Sequence, residues 1–282
     1  MIALAGGLGS ALAWGLATLF SARSSRRIGA APTLAWVSIV GFVACLPLVA
    51  TSQPPASLAT FDAMLLVLVG LGYIGGLLAL YAAMARGPVG IAAPVASTEG
   101  GIAALIAVAG GEPAEMLLLL ALAVVVAGVV VATIQPGAGG WGRIEGGPAF
   151  LLLAVAAAVM LGVSLYAAGH LSGSVPPAWI AIAGRAAGVL LIAAPLLLFR
   201  RLRVDRRVAP FVIAAGLLEP IGYLSFVAAA SQSISVAAVL ASQFAVVAVI
   251  GAFFLGERLD LRQRAGVITV ALGVAAVAFL SS

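Results

Sequence analysis

Two stretches of the chain align with each other. Residues 81–115 read YAAMARGPVGIAAPVASTEGGIAALIAVAGGEPAE, and residues 226–260 read FVAAASQSISVAAVLASQFAVVAVIGAFFLGERLD. At this offset of 145 residues the identical pairs include Gly111 with Gly256, Glu112 with Glu257, Ser97 with Ser242 and, further along, Gly128 with Gly273. Ala matches mean little in so Ala-rich a chain, whereas a paired Gly-Glu at a fixed distance from a paired Gly is not expected by chance. The pattern predicts that the second half of the chain duplicates the first.

The composition around this repeat is that of a membrane protein. Of 282 residues, 64% are hydrophobic and only 8% are charged, which leaves too few polar side chains to cover a soluble surface. Apolar runs of about 20 residues, long enough to cross the roughly 30 Å hydrocarbon core as helices, recur between short turn-like breaks. The sequence therefore predicts an all-α membrane protein embedded in a lipid bilayer.

These runs predict ten transmembrane helices. Their ranges are 2–21, 32–50, 62–84, 89–110, 114–134, 147–170, 177–199, 208–229, 234–255 and 262–280. The Gly-rich segment near the midpoint divides the chain into a first five-helix repeat over 1–134, a linker over 135–146 and a second five-helix repeat over 147–282. Because five is odd, the second copy enters the membrane from the opposite side, so the two halves form an inverted repeat.

The basic residues predict the orientation of these helices. All 14 are Arg, and every one except Arg185 lies in a loop between predicted helices. Counted along the chain, the odd loops carry Arg23, Arg26, Arg27, Arg86, Arg143, Arg200, Arg201, Arg203, Arg206, Arg207, Arg258, Arg262 and Arg264, and the even loops carry none. The positive-inside rule makes the odd loops cytoplasmic and puts both termini outside. The formal charge of +5 is thus a topology signal, and we expect no nucleic-acid partner.

Several kinds of chemistry are excluded by the inventory of residues. The chain has no Lys for a Schiff base, and its single Cys45 and single His170 cannot form an internal disulfide or a Cys/His metal cluster. GLGYIGG, residues 70–76, matches the dinucleotide motif G-x-G-x-x-G, but inside a membrane helix Gly72 and Gly76 indicate close helix packing instead. We expect no cofactor, no metal and no enzymatic activity.

The arrangement of motifs resembles a known family. Ten helices as five plus five, the Trp14-Gly15 pair in the first helix, and a Gly-Glu closing both the fourth and the ninth are similar to the drug/metabolite transporter superfamily, specifically its EamA-type members. The best local match is GERLDLRQRAGVITVALGVAAVA, residues 256–278. The first copy departs from the pattern, because Pro113 and not a basic residue follows Glu112.

This resemblance implies a secondary transporter of the bacterial plasma membrane. Such proteins move small molecules, often amino acids, metabolites or drugs and commonly outward, through a central cavity lined by the first, third and fourth helices of each half. The resemblance implies no particular substrate, coupling ion or oligomeric state. The alternative is a membrane protein without transport activity, such as a lipid-handling or scaffold subunit.

Three ionisable residues lie well inside predicted spans: Glu99 in the fourth, Arg185 in the seventh and Glu219 in the eighth. A charge at the centre of a membrane helix costs on the order of 2.5–3.5 kcal/mol and usually faces the bundle interior or a wet cavity. Arg185 can form a structural ion pair with one acid, which leaves the other to be protonated, to bind a cationic substrate or to carry a coupling proton. We predict that Glu99 is the proton or cation site and that Arg185 lies nearer Glu219.

Further candidates for the cavity lining are amphipathic or polar side chains at membrane depth, each of which could equally be ordinary packing. Tyr223 follows Glu219 by four residues and so shares its helix face. Pro220 removes a backbone donor next to Glu219, while Ser97 precedes Glu99 and has a hydroxyl that can bond the backbone or water. The remaining candidates are Trp14, Tyr73, Tyr166 and Gln243.

Overall fold

The structure of the protein is a computed structural model. It describes residues 2–55, 58–112, 147–203 and 205–254, together with short pieces at 120, 123–124, 127–128, 261, 265–266, 268–269 and 272–273. Throughout these ranges the regular secondary structure is helical, without a strand. The predicted all-α class is confirmed for this part of the chain. The predicted fifth and tenth helices, 114–134 and 262–280, and the linker 135–146 lie outside the continuous described ranges.

The described helices follow one another with short connections. In chain order they are α1 Ile2–Ile28, α2 Ala30–Thr51, α3 Thr60–Met84, α4 Val89–Ala96, α5 Glu99–Ala109, α6 Gly147–Leu171, α7 Pro177–Gly188, α8 Ala194–Leu198, α9 Ala209–Ala230, α10 Ile234–Ala241 and α11 Phe244–Phe254. A single π-helical turn, Val189–Ala193, joins α7 to α8.

Within the described ranges, eight helical stretches are long and apolar enough to cross a membrane. Five are α1, α2, α3, α6 and α9. The other three are composite, formed by α4 with α5, by α7 with its π-turn and α8, and by α10 with α11. The predicted spans 89–110 and 234–255 are therefore each two helices in line, broken at Ser97–Thr98 and at Ser242–Gln243.

The largest helix interfaces join α1 to α9 and α3 to α6. Glycine makes the α3–α6 interface close: a Cβ on Gly72 would lie 2.8 Å from the carbonyl oxygen of Met160, and one on Gly76 would lie 2.5 Å from Cγ of Leu161. Small residues at such positions allow two backbones to approach each other in a membrane. Residues 70–76 thus serve helix packing, as the sequence analysis expects, and not nucleotide binding.

The loops assemble into two separate ends. At one end Arg26 of α1 donates to the carbonyl oxygen of Met84, and Arg27 forms an ion pair of 2.5 Å with Asp205. The pKa of Asp205 is lowered because the Arg207 backbone N–H and the Arg27 side chain both donate to its carboxylate. At the other end the rings of Phe61 and His170 lie 5.7 Å apart.

Several helices begin and end at the repeat offset. Adding 145 to the bounds of α4 gives those of α10, and adding 145 to the bounds of α5 gives those of α11. The interfaces match as well, because α5 packs on α6 and α11 packs on α1 to a similar extent. The two helix breaks thus fall at equivalent positions of the duplicated sequence.

Candidate functional site

A small cavity lies between helices from both halves of the chain. Its lining residues are Trp14, Thr18, Tyr73, Leu77, Leu80, Glu99, Leu161, Ser164, Leu165, Glu219, Tyr223 and Phe244. They come from α1, α3, α5, α6, α9 and α11, and among the described residues α2 and α7 contribute none. The volume is about 30 Å³, which holds ordered water but not a metabolite.

Glu219 is held by contacts from α1 and α3. Its Oε2 accepts a hydrogen bond of 2.7 Å from the Tyr73 hydroxyl, and its backbone carbonyl accepts one of 3.3 Å from Nε1 of Trp14. Gly222 lets the Trp14 ring lie against α9, because a Cβ there would come within 2.6 Å of the indole. Glu219 is 5% exposed, and the hydrogen bond from Tyr73 holds its carboxylate in position.

Arg185 of α7 is buried beside Glu219, with 1% of its surface exposed. The centre of its guanidinium lies 4.5 Å from the ring centroid of Tyr73 and 4.7 Å from that of Tyr223. Nη1 donates to the carbonyl oxygen of Ala181 at 3.0 Å, and Nη2 lies 3.9 Å from Oε2 of Glu219. These cation–π contacts and the ion pair hold one positive charge in the protein interior.

Glu99 differs from Glu219 in having no such support. It is 4% exposed, lines the cavity, and its Oε2 has no hydrogen-bond partner among the described residues. The neighbouring hydroxyls do not reach it, since Ser97 donates to the carbonyl oxygen of Pro94 and Thr98 to that of Val95, each at 2.8 Å. Glu99 is also the first residue of α5, where the helix dipole favours a negative charge.

The structure brings most of the predicted site residues together. Trp14, Tyr73, Glu99, Glu219 and Tyr223 line the cavity, and Arg185 stacks on two of the lining rings.

Tyr166 and Gln243 lie outside the lining. Gln243 is buried in the break before α11, and its Nε2 donates to the carbonyl oxygen of Val239. The ring of Tyr166 lies against His170, with centroids 6.0 Å apart. These contacts are those of packed side chains, and a binding role for either residue stays a prediction.

Other lining residues are not among the sequence candidates. Ser164 carries a signal that sequence reasoning could have used, because it is a hydroxyl in the middle of an apolar span; its Oγ donates to the carbonyl oxygen of Val69 on α3. Thr18 is a similar case on α1. The leucines and Phe244 carry no signal, since apolar residues are common on every face of these helices. Among the described residues, no three His, Cys, Asp or Glu side chains are grouped to hold a metal ion.

Fold and site together define a multi-pass membrane protein, helical in its described ranges, with a mostly apolar cavity that two carboxylates line. The EamA-like transporter family is matched by residues 1–134 and 149–279, and the chain belongs to this family and so to the drug/metabolite transporter superfamily. No curated protein matches the sequence. One crystal structure, described only as that of a protein, superposes with a TM-score of 0.75 at 19% identity, covering 99% of this chain and 98% of its own; it shows the fold alone.

Proposed function

We propose that the protein is a secondary transporter that carries a small molecule by alternating access through the central cavity. One observation carries the proposal: a buried carboxylate, Glu99, lines a cavity built by helices of both halves and has an oxygen without a hydrogen-bond partner among the described residues. Ionisable groups held inside a membrane bundle mark substrate or ion pathways. Family membership supports transport as the activity and argues against an enzyme. We assign the protein to the bacterial plasma membrane and the direction to export, as the family resemblance implies.

The transport cycle we propose uses an inverted repeat of two five-helix halves. The identical bounds of α4 and α10, and of α5 and α11, at an offset of 145 residues support this symmetry, as do the two matched segments of the family. Inverted repeats allow one half to rock against the other around a fixed site. In this scheme the observed conformation, with room only for water in its cavity, is one of the closed states of the cycle.

Within the cycle we give Glu99 the role of the proton or cation site and Arg185 a structural role. Arg185 is enclosed by two tyrosine rings and neighbours Glu219, whereas Glu99 lines the cavity and has a buried oxygen without a hydrogen-bond partner among the described residues. A carboxylate that is not already neutralised can exchange a proton or a cation during transport.

Transport by the pure protein is the decisive test. Thermal-shift screening against amino acids, amines and common drugs identifies a ligand, and uptake of that ligand into liposomes is then compared with and without the protein. We expect uptake that depends on the protein, responds to a pH gradient, and is lost in Glu99→Gln. Uptake equal to that of protein-free liposomes for every ligand found would favour a lipid-handling or scaffold role instead.

A further inference from the structure

The charges around the cavity do not cancel. Two carboxylates, Glu99 and Glu219, line it, and no basic side chain does. Arg185 supplies one positive charge behind the wall, with its Nη2 3.9 Å from Oε2 of Glu219. Two negative charges and one positive charge leave a net charge of minus one when both acids are ionised, and that charge belongs to Glu99. A ligand that restores neutrality carries one positive charge.

Arg185 is not available to a negatively charged ligand group. The rings of Tyr73 and Tyr223 lie over its guanidinium, Nη1 is bonded to a backbone carbonyl, and the side chain is 1% exposed. Nε and Nη2 have no hydrogen-bond partner among the described residues, but both atoms are buried, so a ligand carboxylate does not reach them in this conformation. The wall that a ligand meets thus offers two acids, the hydroxyl residues Thr18 and Ser164, and apolar groups.

The rest of the wall suits a cation with an apolar body. Three aromatic rings are clustered next to the acids: the centroids of Trp14 and Tyr223 are 6.1 Å apart, and those of Tyr73 and Tyr223 are 5.6 Å apart. Aromatic faces attract ammonium groups, most strongly where water is excluded. Four leucines in the lining, at residues 77, 80, 161 and 165, favour contact with hydrocarbon, and Thr18, Ser164 and Phe244 complete it.

We propose that the cavity, in a state of the cycle more open than the one observed, binds an organic monocation, an amine or quaternary ammonium with an apolar body, whose charged group lies at Glu99. As a statement about the transported substrate this rests on the proposed function, whereas binding itself does not require transport. The cation and a proton neutralise the same carboxylate, so each displaces the other.

Three probes with the same phenyl body test the charge that the cavity selects: phenethylamine as cation, phenylalanine as zwitterion and 3-phenylpropionate as anion. Binding to the purified protein in detergent is measured by calorimetry at neutral pH. We expect phenethylamine to bind about tenfold or more tightly than the other two, since only the amine pairs its charge without leaving another unpaired. Acidification is expected to weaken phenethylamine binding, because protonated Glu99 no longer attracts the ammonium.

Substitutions of Glu99 test whether this residue causes the selectivity for the cationic probe. Glu99→Gln is expected to weaken phenethylamine binding to the level of the zwitterion, and Glu99→Asp, which keeps the charge, is expected to retain part of it. Asp62→Asn also replaces a carboxylate by its amide, but it lies about three helical turns from Tyr73 along α3. It serves as the control, and we expect it to leave phenethylamine binding unchanged.

The outcomes separate this inference from the proposed function. Tighter binding of phenylalanine or 3-phenylpropionate, lost in Arg185→Gln, would overturn the cation assignment and leave transport intact. Cation binding that Glu99→Gln does not alter would overturn it too. Strong, Glu99-dependent binding of phenethylamine without uptake into liposomes would instead contradict the transporter proposal and uphold the site.

Discussion

Glu99 and Glu219 are both buried acids, but their surroundings give them different expected roles. Glu219 has Tyr73 as a donor and Arg185 as a counter-charge, so it is an internal member of a network. Glu99 has an oxygen without a partner and a cavity in front of it. Removing one member of a buried ion pair leaves an uncompensated charge, whereas neutralising an unpaired carboxylate leaves none.

Substitution of the charged residues should therefore separate activity from stability. Glu99→Gln is expected to fold and melt like the unmodified protein and to lose proton- or cation-dependent transport. Arg185→Leu is expected to lose about 3–5 kcal/mol of stability, because Glu219 then lacks its counter-charge. Thermal melts and liposome transport check both. The opposite pattern, a misfolded Glu99→Gln and a stable but inactive Arg185→Leu, would make Glu99 the structural partner and Arg185 the anion or zwitterion site.

The two tyrosines over Arg185 offer a matched pair of substitutions. Tyr73→Phe keeps the ring over the guanidinium but removes the 2.7 Å hydrogen bond to Glu219, and we expect it to cost about 1–3 kcal/mol. Tyr223→Phe also keeps the ring, and Tyr223 makes no such bond to Glu219, so a smaller loss is expected. The melting temperatures of the two variants measure this difference in stability. Equal losses would show that the Tyr73–Glu219 bond contributes little.

The site could be predicted only in part, for reasons visible in single residues. Glu99, Arg185 and Glu219 can be picked out of the sequence because a charge inside an apolar span is costly and marks a functional or structural role. Tyr166 is only two residues from Ser164, which on a helix turns it about 200° away from the lining face. Packing against the other helices decides which face of a uniformly apolar helix lines the cavity. Hydropathy does not indicate that face.

The broken helices are the element that hydropathy analysis misses. Residues 89–110 and 234–255 are apolar enough to read as continuous spans, yet each changes from one helix to another at a pair of polar residues. Hydroxyls mark the break: Ser97 and Ser242 each donate to the backbone carbonyl three residues earlier. Such bonds offer the backbone an alternative to the helical pattern and weaken the helix locally.

Glu112 links the two broken helices across the repeats. Gly111 follows the end of α5 with a φ of 101°, a conformation that glycine adopts without strain. The Glu112 carboxylate accepts hydrogen bonds from the Ser233 hydroxyl at 2.6 Å and from the Ser235 backbone N–H at 3.2 Å. It thereby caps the N-terminus of α10, so the Gly-Glu motif of the first half holds an element of the second. Its sequence counterpart, Glu257, lies outside the described residues.

Removing the charge of this cap should loosen one element and spare the cavity. Glu112→Gln is expected to lower stability by about 1–2 kcal/mol and to speed hydrogen exchange of the Ser235 and Val236 amides, whose N–H groups lie in the first turn of α10. Hydrogen-exchange mass spectrometry of the variant measures this. Asp62→Asn is the control, with exchange in α10 unchanged. Faster exchange throughout the molecule would indicate general destabilisation rather than a local cap.

At the scale of the whole molecule, we expect the two halves to be related by an axis in the membrane plane. The sequence offset predicts this symmetry, and the bounds of α4, α5, α10 and α11 follow the same offset. An experimental structure checks it by rotating residues 81–134 onto 226–279. Failure of these segments to superpose after such a rotation would remove the basis for equating the broken helices and for rocking one half against the other.

Orientation in the membrane follows from charge and can be tested without a structure. The sequence predicts thirteen Arg residues in the odd loops, and Arg26 and Arg27, in the last turn of α1, contact Met84 and Asp205 and so bring three of these connections to one end. Translocating so many charges against the positive-inside bias is unfavourable, so this end is expected to face the cytoplasm. A reporter that is active only in the cytoplasm should be active when inserted at 200–207 and inactive when fused to the C-terminus. The reverse pattern would place the Arg-rich loops outside the cell. The sides of the membrane on which the proposed cycle takes up and releases its substrate would then be exchanged.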